Sequence, residues 1–233
     1  MNVSIFQPTY LPWLGFFKAI AWSDKFVFLD DVQFENHSWQ SRNRLKSASG
    51  ELVLTVPIIR KFPQNINEVK INYSKDWVKN HLKSIKLNYS KAPFFKDYFN
   101  RLEAIYNNKP ERLIDLNVAI IKDICDFLGI ETGYYYSSDL SVKEFHKNEK
   151  IIAILKKIEA SEYLHAAGAT GYMQAALEQY RDNQIELISL KFEHPRYKQL
   201  HGEFISHLSI IDIIFNCGGQ ETVAMLKNIK FIK

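Results

Sequence analysis

Cysteine is scarce in this sequence. Cys125 and Cys217 stand far apart and show no metal-ligand spacing. That excludes a disulfide scaffold and fits reduced thiols in a cytoplasmic protein. Long apolar runs are missing too. The best stretch, 208–215, is short and carries Asp212, so no membrane insertion is expected. No basic segment precedes the first apolar run, so no secretory leader is expected either. Charge of one sign is hardly in excess: 30 basic against 26 acidic residues leave +4. That is too mild for a DNA partner, yet it allows an anionic small molecule at a local positive site. The chain also lacks a P-loop, a G-x-G-x-x-G, a nucleophile elbow and a zinc signature, and no metal site is expected. Repeats, low-complexity tracts and Ser/Gly linkers are absent, so 1–233 reads as a single domain.

Aromatic residues are abundant: sixteen Phe, twelve Tyr and four Trp. Such rings fill cores, and Tyr and Trp also line pockets for sugars and bases. The chain opens on SIFQPTYLPWLGFFKAI. A strand over Val3–Phe6 stops at Gln7-Pro8, and a helix over Trp13–Ser23 follows a turn rich in proline and aromatics. Lys25–Leu29 is the next strand. Strand, helix, strand makes a βαβ unit, whose ligands bind at the carboxyl ends of the strands. Further on, strands are expected at Leu52–Pro57 and Glu68–Tyr73, and helices at Asp76–Asn88, Phe94–Tyr106 and Pro110–Leu128. The rhythm then returns with strands near 134–137, 163–166 and 185–192 around helices at 148–158 and 172–182. The expected fold is α/β: a mostly parallel, open, Rossmann-like sheet with helices on both faces and a helical insertion near 74–128.

Two loops at strand ends hold the candidate chemistry. In LDDVQFENHSWQSRNR, Asp30 and Asp31 are candidate bases, or holders of an amine, ribose or Mg²⁺. Arg42 or Arg44 could fork onto a phosphate or carboxylate. Gln33, Trp39 and Asn43 complete that binding set, while His37 reads as an exposed loop histidine. In YLHAAGATGY, His165 is a third catalytic candidate beside a glycine-bearing loop ending in Tyr172, a weak anion-binding pattern. Gln7, Tyr10 and Trp13 would form the facing wall. The tail adds Gln199, His201 and Asp212; the last either braces a loop or points into the site, since a buried carboxylate needs partners. Cys217-Gly218-Gly219 reads as the end of a helix.

Taken in order, QPTYLPWLGFFKAI, SDKFVFLDDVQF, SWQSRNRL, LTVPI, DLNVAIIKDICDFLGI and FISHLSIIDIIFNCGG resemble the WbqC-like family across nearly the whole chain. The family's pattern falls on Gln7, Pro8, Tyr10, Pro12, Trp13 and Gly15, on Asp30, Asp31, Gln33 and Phe34, on Arg42 and Asn43, and on Ser209, Asp212, Asn216 and Gly218. Where the pattern has His before Gln-Pro, this chain has Phe6. The resemblance implies a cytoplasmic transferase of bacterial O-antigen or surface-polysaccharide synthesis. It would join an amino acid, glycine foremost, to the amine of a nucleotide-linked amino sugar. The sequence leaves the donor open between an ATP/Mg-dependent adenylate, an aminoacyl-tRNA and a carrier thioester, and leaves the oligomeric state open. Two rival readings stand beside it: an adenylate-forming or nucleotidylyl enzyme, and a non-catalytic nucleotide-sugar binder.

Overall fold

The computed structural model describes residues 1–61, 63–165 and 177–232. Strand β1 (Asn2–Phe6), helix α1 (Leu14–Trp22) and strand β2 (Lys25–Phe28) form the expected unit. β1 and β2 pair in parallel, with Val3 opposite Lys25 and Phe6 opposite Phe28. Strand β7 (Gly133–Tyr136) joins β2 on its outer side, and β8 (Glu162–His165) joins β1 on its other side. Beyond β8 lie β9 (Glu186–Lys191), parallel, and β10 (Lys230–Ile232), antiparallel at the edge. The sheet order is β10-β9-β8-β1-β2-β7. The chain therefore grows outward from β1 in one direction and later in the other. A crevice opens where the direction reverses, at the carboxyl ends of β1 and β8.

Alternation along the strands divides two cores. Phe6, Phe26, Phe28, Tyr134 and Tyr136 face α1 and three helices from the middle of the chain: α2 (Trp77–Tyr89), α3 (Phe95–Asn107) and α4 (Leu113–Leu128). Val3, Ile5, Val27 and Tyr163 face the opposite way, onto α5 (Lys147–Lys157) and α6 (Leu177–Asp182). A last helix, α7 (Ile210–Asn228), packs on the α1 side. Helices thus flank the sheet on both faces.

Four sequence expectations change. The segment 42–47, Arg-Asn-Arg-Leu-Lys-Ser, looks like loop but is strand β3 (Arg42–Ser47), paired with β4 (Gly50–Thr55). It buries Asn43, Leu45 and Lys46, so polar residues occupy positions that an apolar alternation would have marked. The strand expected over 68–73 shrinks to β6 (Lys70–Ile71), paired with β5 (Ile58–Ile59). Pro110 precedes α4 rather than opening it. Its first turn instead carries Asp115, which Arg112 grips from the cap position. The tail helix breaks at Gly218 but does not end there. Gly218 takes φ 80°, a conformation costly for any residue with a Cβ, and the Phe94 ring fills the space beside it. The Phe94 N–H bonds the Phe215 carbonyl that the break releases.

Tyr10 belongs to the core and not to a pocket wall. It is fully buried, and its hydroxyl lies 3.0 Å from His81 Nδ1 and against the Tyr106 hydroxyl. Burial pushes the His81 imidazole from 6.5 down to about 4. Between those values the unfolded chain holds a proton that the folded chain refuses, so stability falls as pH drops through this window. The expected loss is up to about 3 kcal/mol from pH 6.5 to pH 4. In His81→Gln, which cannot titrate, urea-unfolding midpoints measured across that range should fall less steeply than in the wild type.

Candidate functional site

The turn after β1 is held from four sides. The Asn43 amide donates to the carbonyls of Tyr10 and Leu11, at 3.0 and 2.8 Å. The fully buried Asn117 of α4 donates to Pro8 and Gln40. The Tyr10 N–H bonds the Trp39 carbonyl, and the Ile210 N–H at the start of α7 bonds Pro12. These contacts stabilise Leu11 at φ 45°, a left-handed conformation that side chains disfavour. Gln40 also donates to the Gln7 side chain at 2.8 Å, fixing it at the strand end.

This turn forms one wall of a cleft of about 620 Å³ at the β1/β8 crevice. Trp13 is half-buried there, its ring 4.4 Å from Phe192 and 5.2 Å from His207. The ring lies so close over Gly15 that a Cβ at that position would sit 2.3 Å from it. Trp39, 48% exposed, forms another wall, with the Arg44 guanidinium 5.4 Å from its ring centre and Arg42 at 5.9 Å. Arg44 lines the cleft; it pairs with Glu51 at 2.8 Å and donates to the His207 carbonyl, while its buried Nε has no partner. His165, at the end of β8, lines the cleft with Nε2 2.9 Å from Ser189 Oγ.

His207 completes the rim. Its backbone is left-handed, φ 57°, and its Nδ1 sits 2.9 Å from Ser206 Oγ. Its ring lies 5.0 Å from that of His194. Burial, and after it the positive Arg44, hold His207 below its ordinary value. His194 is lowered by burial, partly offset by its bond to the Pro195 carbonyl and reinforced by His207. The rim therefore carries imidazoles that stay neutral, and able to accept a proton, to lower pH than a free histidine. Among the described residues lining the cleft there is no Asp or Glu.

Of the candidates read from the sequence, Gln7, Trp13, Trp39, Asn43 and His165 line the cleft, although the Asn43 amide is spent on the main chain. Asp30 and Asp31 are not among the described lining residues. The buried Asp30 carboxylate accepts from Ser137, the Ser138 N–H and hydroxyl, and Asn67. Asp31 contacts the Ser137 hydroxyl and pairs with the buried Lys150 ammonium at 2.7 Å. Both side chains turn toward the end of β7 and the start of α5, so they tie strands together and are not free as bases. Arg42, not among the described lining residues, lies 5.9 Å from the Trp39 ring centre, and Gln33 is exposed beside Asn65. Tyr172 lies outside the described residues.

The tail residues form a brace. Asp212, fully buried, accepts from Tyr89 at 2.7 Å, Tyr197 at 2.6 Å and the Gln199 amide at 3.1 Å. Burial still raises its pKa against these bonds and the nearby Lys46. The buried Lys46 ammonium bonds Gln199 at 3.0 Å and the carbonyls of Gly202 and Glu203. His201 is not among the described lining residues and donates to the Asn88 carbonyl. The network pins the loop that ends in His207. Sequence reasoning missed Phe192 and His207 as site residues, because only the folded tail brings them to Trp13. A larger hollow, about 1040 Å³, is lined by α3, α4, α7 and their ends, with Asp97, Asp126 and Glu221 among its walls, far from strand-end chemistry. No three His, Cys, Asp or Glu side chains converge to hold a metal ion among the described residues. No described helix is long and apolar enough to cross a membrane.

Residues 7–224 match the model of the WbqC-like protein family. The chain is similar to the uncharacterized protein Rv1507c of Mycobacterium tuberculosis, 33% identical over 223 residues that cover 94% of this chain and 95% of the relative. No solved structure matches.

Replacing Asn43 by Ala leaves two buried carbonyls without a donor and Leu11 without support. We expect a loss of about 3 kcal/mol, read as a lower urea midpoint with the slope unchanged.

Proposed function

The chain belongs to the WbqC-like protein family, and from that premise we propose that its cleft transfers an amino acid, glycine foremost, to the amine of a nucleotide-linked amino sugar. Membership suggests a role in polysaccharide biosynthesis. The observation that carries the finer reading is a strand-end cleft with aromatic walls and cationic or imidazole groups but no carboxylate among its described lining residues. Flat faces at Trp13 and Trp39 suit a base or sugar ring, and Arg44 suits a diphosphate.

In this reading Gln7 holds the sugar and His207 serves as the base. The amine lone pair attacks the acyl carbon, a C–N bond forms, and the bond to the leaving group breaks with its electron pair. The leaving group is a nucleotide phosphate, a tRNA ribose oxygen or a carrier thiol. The amine proton passes to His207, and His165 binds the acyl oxygen or a sugar hydroxyl. Trp13 over Gly15 keeps the acceptor close to the rim, so that the reaction becomes effectively unimolecular.

The test is mass spectrometry of nucleotide amino sugars incubated with the protein and, in turn, glycine with ATP, glycyl-tRNA and a glycyl thioester. One donor should add a glycyl residue. Arg44→Ala should raise KM for the nucleotide sugar roughly ten- to a hundredfold with little change in kcat. His207→Gln should lower kcat about a hundredfold or more at similar KM. The wild-type rate should hold to below pH 6.5 before it declines, because the base is depressed. No mass gain with any donor defeats the transferase reading. Pyrophosphate release from ATP without amino sugar would point to adenylate formation on another substrate.

A further inference from the structure

Helix α2 carries a charge pattern that neither the fold nor the cleft requires. Its buried side, Trp77, Val78, His81, Ile85 and Tyr89, is apolar apart from His81 and packs into the main core. Its solvent side exposes Lys79, Lys83 and Lys86, within an arc of roughly 60° at 100° per residue. Lys75 precedes the helix, and Lys91 and Lys96 follow it, all exposed. Across 75–96 these six lysines meet one carboxylate, Asp76, a balance of +5 against +4 for the whole chain. None of the six pairs with a carboxylate among the described residues. Lysines four apart repel, so the stripe weakens the helix that bears it. Beside the stripe stands Leu87, 76% exposed, the most exposed large apolar side chain among the described residues.

We propose that this face of α2 docks the protein on an anionic phospholipid surface, with the lysines over the headgroups and Leu87 entering the interface. The charge complementarity is of the kind that membranes recruit. Each lysine near an anionic leaflet adds a similar, additive attraction that needs no fixed geometry. A nucleic-acid site would instead favour arginine forks and exposed aromatic faces, and α2 offers neither on its solvent side. Attachment here has a consequence for the cleft. The loop that carries His207 is fastened to the last turn of α2 by the His201 bond to the Asn88 carbonyl, 2.9 Å, and through Asp212 to Tyr89. Docking by α2 therefore acts on an element that is directly bonded to the His207 loop. The proposal does not depend on which group the cleft transfers.

The experiment is flotation of the intact protein with vesicles of phosphatidylcholine alone or mixed with phosphatidylglycerol. Binding should appear only on the mixed vesicles and fade at high salt. Lys79→Gln, Lys83→Gln and Lys86→Gln together should lower the partition coefficient about a hundredfold, with the far-UV circular dichroism unchanged. If that variant fails to fold, Lys91→Gln with Lys96→Gln, outside α2, should lower it roughly twentyfold. Leu87→Ser should weaken vesicle binding yet leave retention on heparin as it was. Equal binding to both vesicle types, or undiminished binding by the lysine variants, overturns the proposal. Binding of a structured RNA hairpin at a salt concentration where mixed vesicles stay unbound also overturns it and gives the face to nucleic acid.

Discussion

One side-chain amide sets the geometry of the cleft. Asn43 spends both amide hydrogens on the carbonyls of Tyr10 and Leu11. The left-handed turn at Leu11 swings the chain so that Tyr10 enters the core while Trp13 stays at the surface. With the turn fixed, Pro12 can accept from Ile210, and α7 is drawn onto the same wall. The Ser209 N–H bonds the Arg44 carbonyl, so the hairpin strand that supplies Asn43 is held by the helix that the turn positions. Three separate stretches of sequence are closed into one wall by the Asn43 amide and main-chain bonds, and that wall has little freedom to relax.

Charge is distributed in two tiers. Three carboxylates are drawn inward and given partners: Asp30 by serine hydroxyls, Asp31 by the Lys150 ammonium, and Asp212 by two tyrosines, an amide and nearby Lys46. Imidazoles and guanidinium are left at the cleft. The first tier fixes where strands and loops end. The second gives the cleft a field suited to phosphate and a neutral nitrogen suited to a proton. Each tier needs the other, because Asp212 is what keeps the His207 loop in place.

Five of the six strands of the sheet were readable from the sequence because they are short apolar runs between strong breakers; the edge strand β10 was not read. The α2–α4 helices were readable from their spacing. Strand β3 was not, because Arg-Asn-Arg-Leu-Lys-Ser lacks an apolar alternation, and the buried Asn43 amide and Lys46 ammonium donate to residues distant in the chain. The site was half legible for the same reason. Gln7, Trp13, Trp39 and His165 could be placed from strand ends, since the crevice rule concerns topology. Tyr10 could not be told from a wall residue, because burial of its hydroxyl depends on His81 and Tyr106, far along the chain. The paired Asp30-Asp31 looked catalytic because a pattern of types does not reveal Ser137, Ser138 and Lys150 waiting to bind it.

The rim has a further bearing on how the molecule comes into being. Trp13 and the rest of the first wall are synthesised well before the residues that close against them. Phe192, His207 and Ser209, which close against that wall, follow far later in the chain. Until the final helix emerges, the nascent sheet presents its aromatic edge to water, and the cleft does not exist. The same late segment fills part of the main core and ties the first wall through Pro12 and Arg44, so completing the core and closing the cleft are one event.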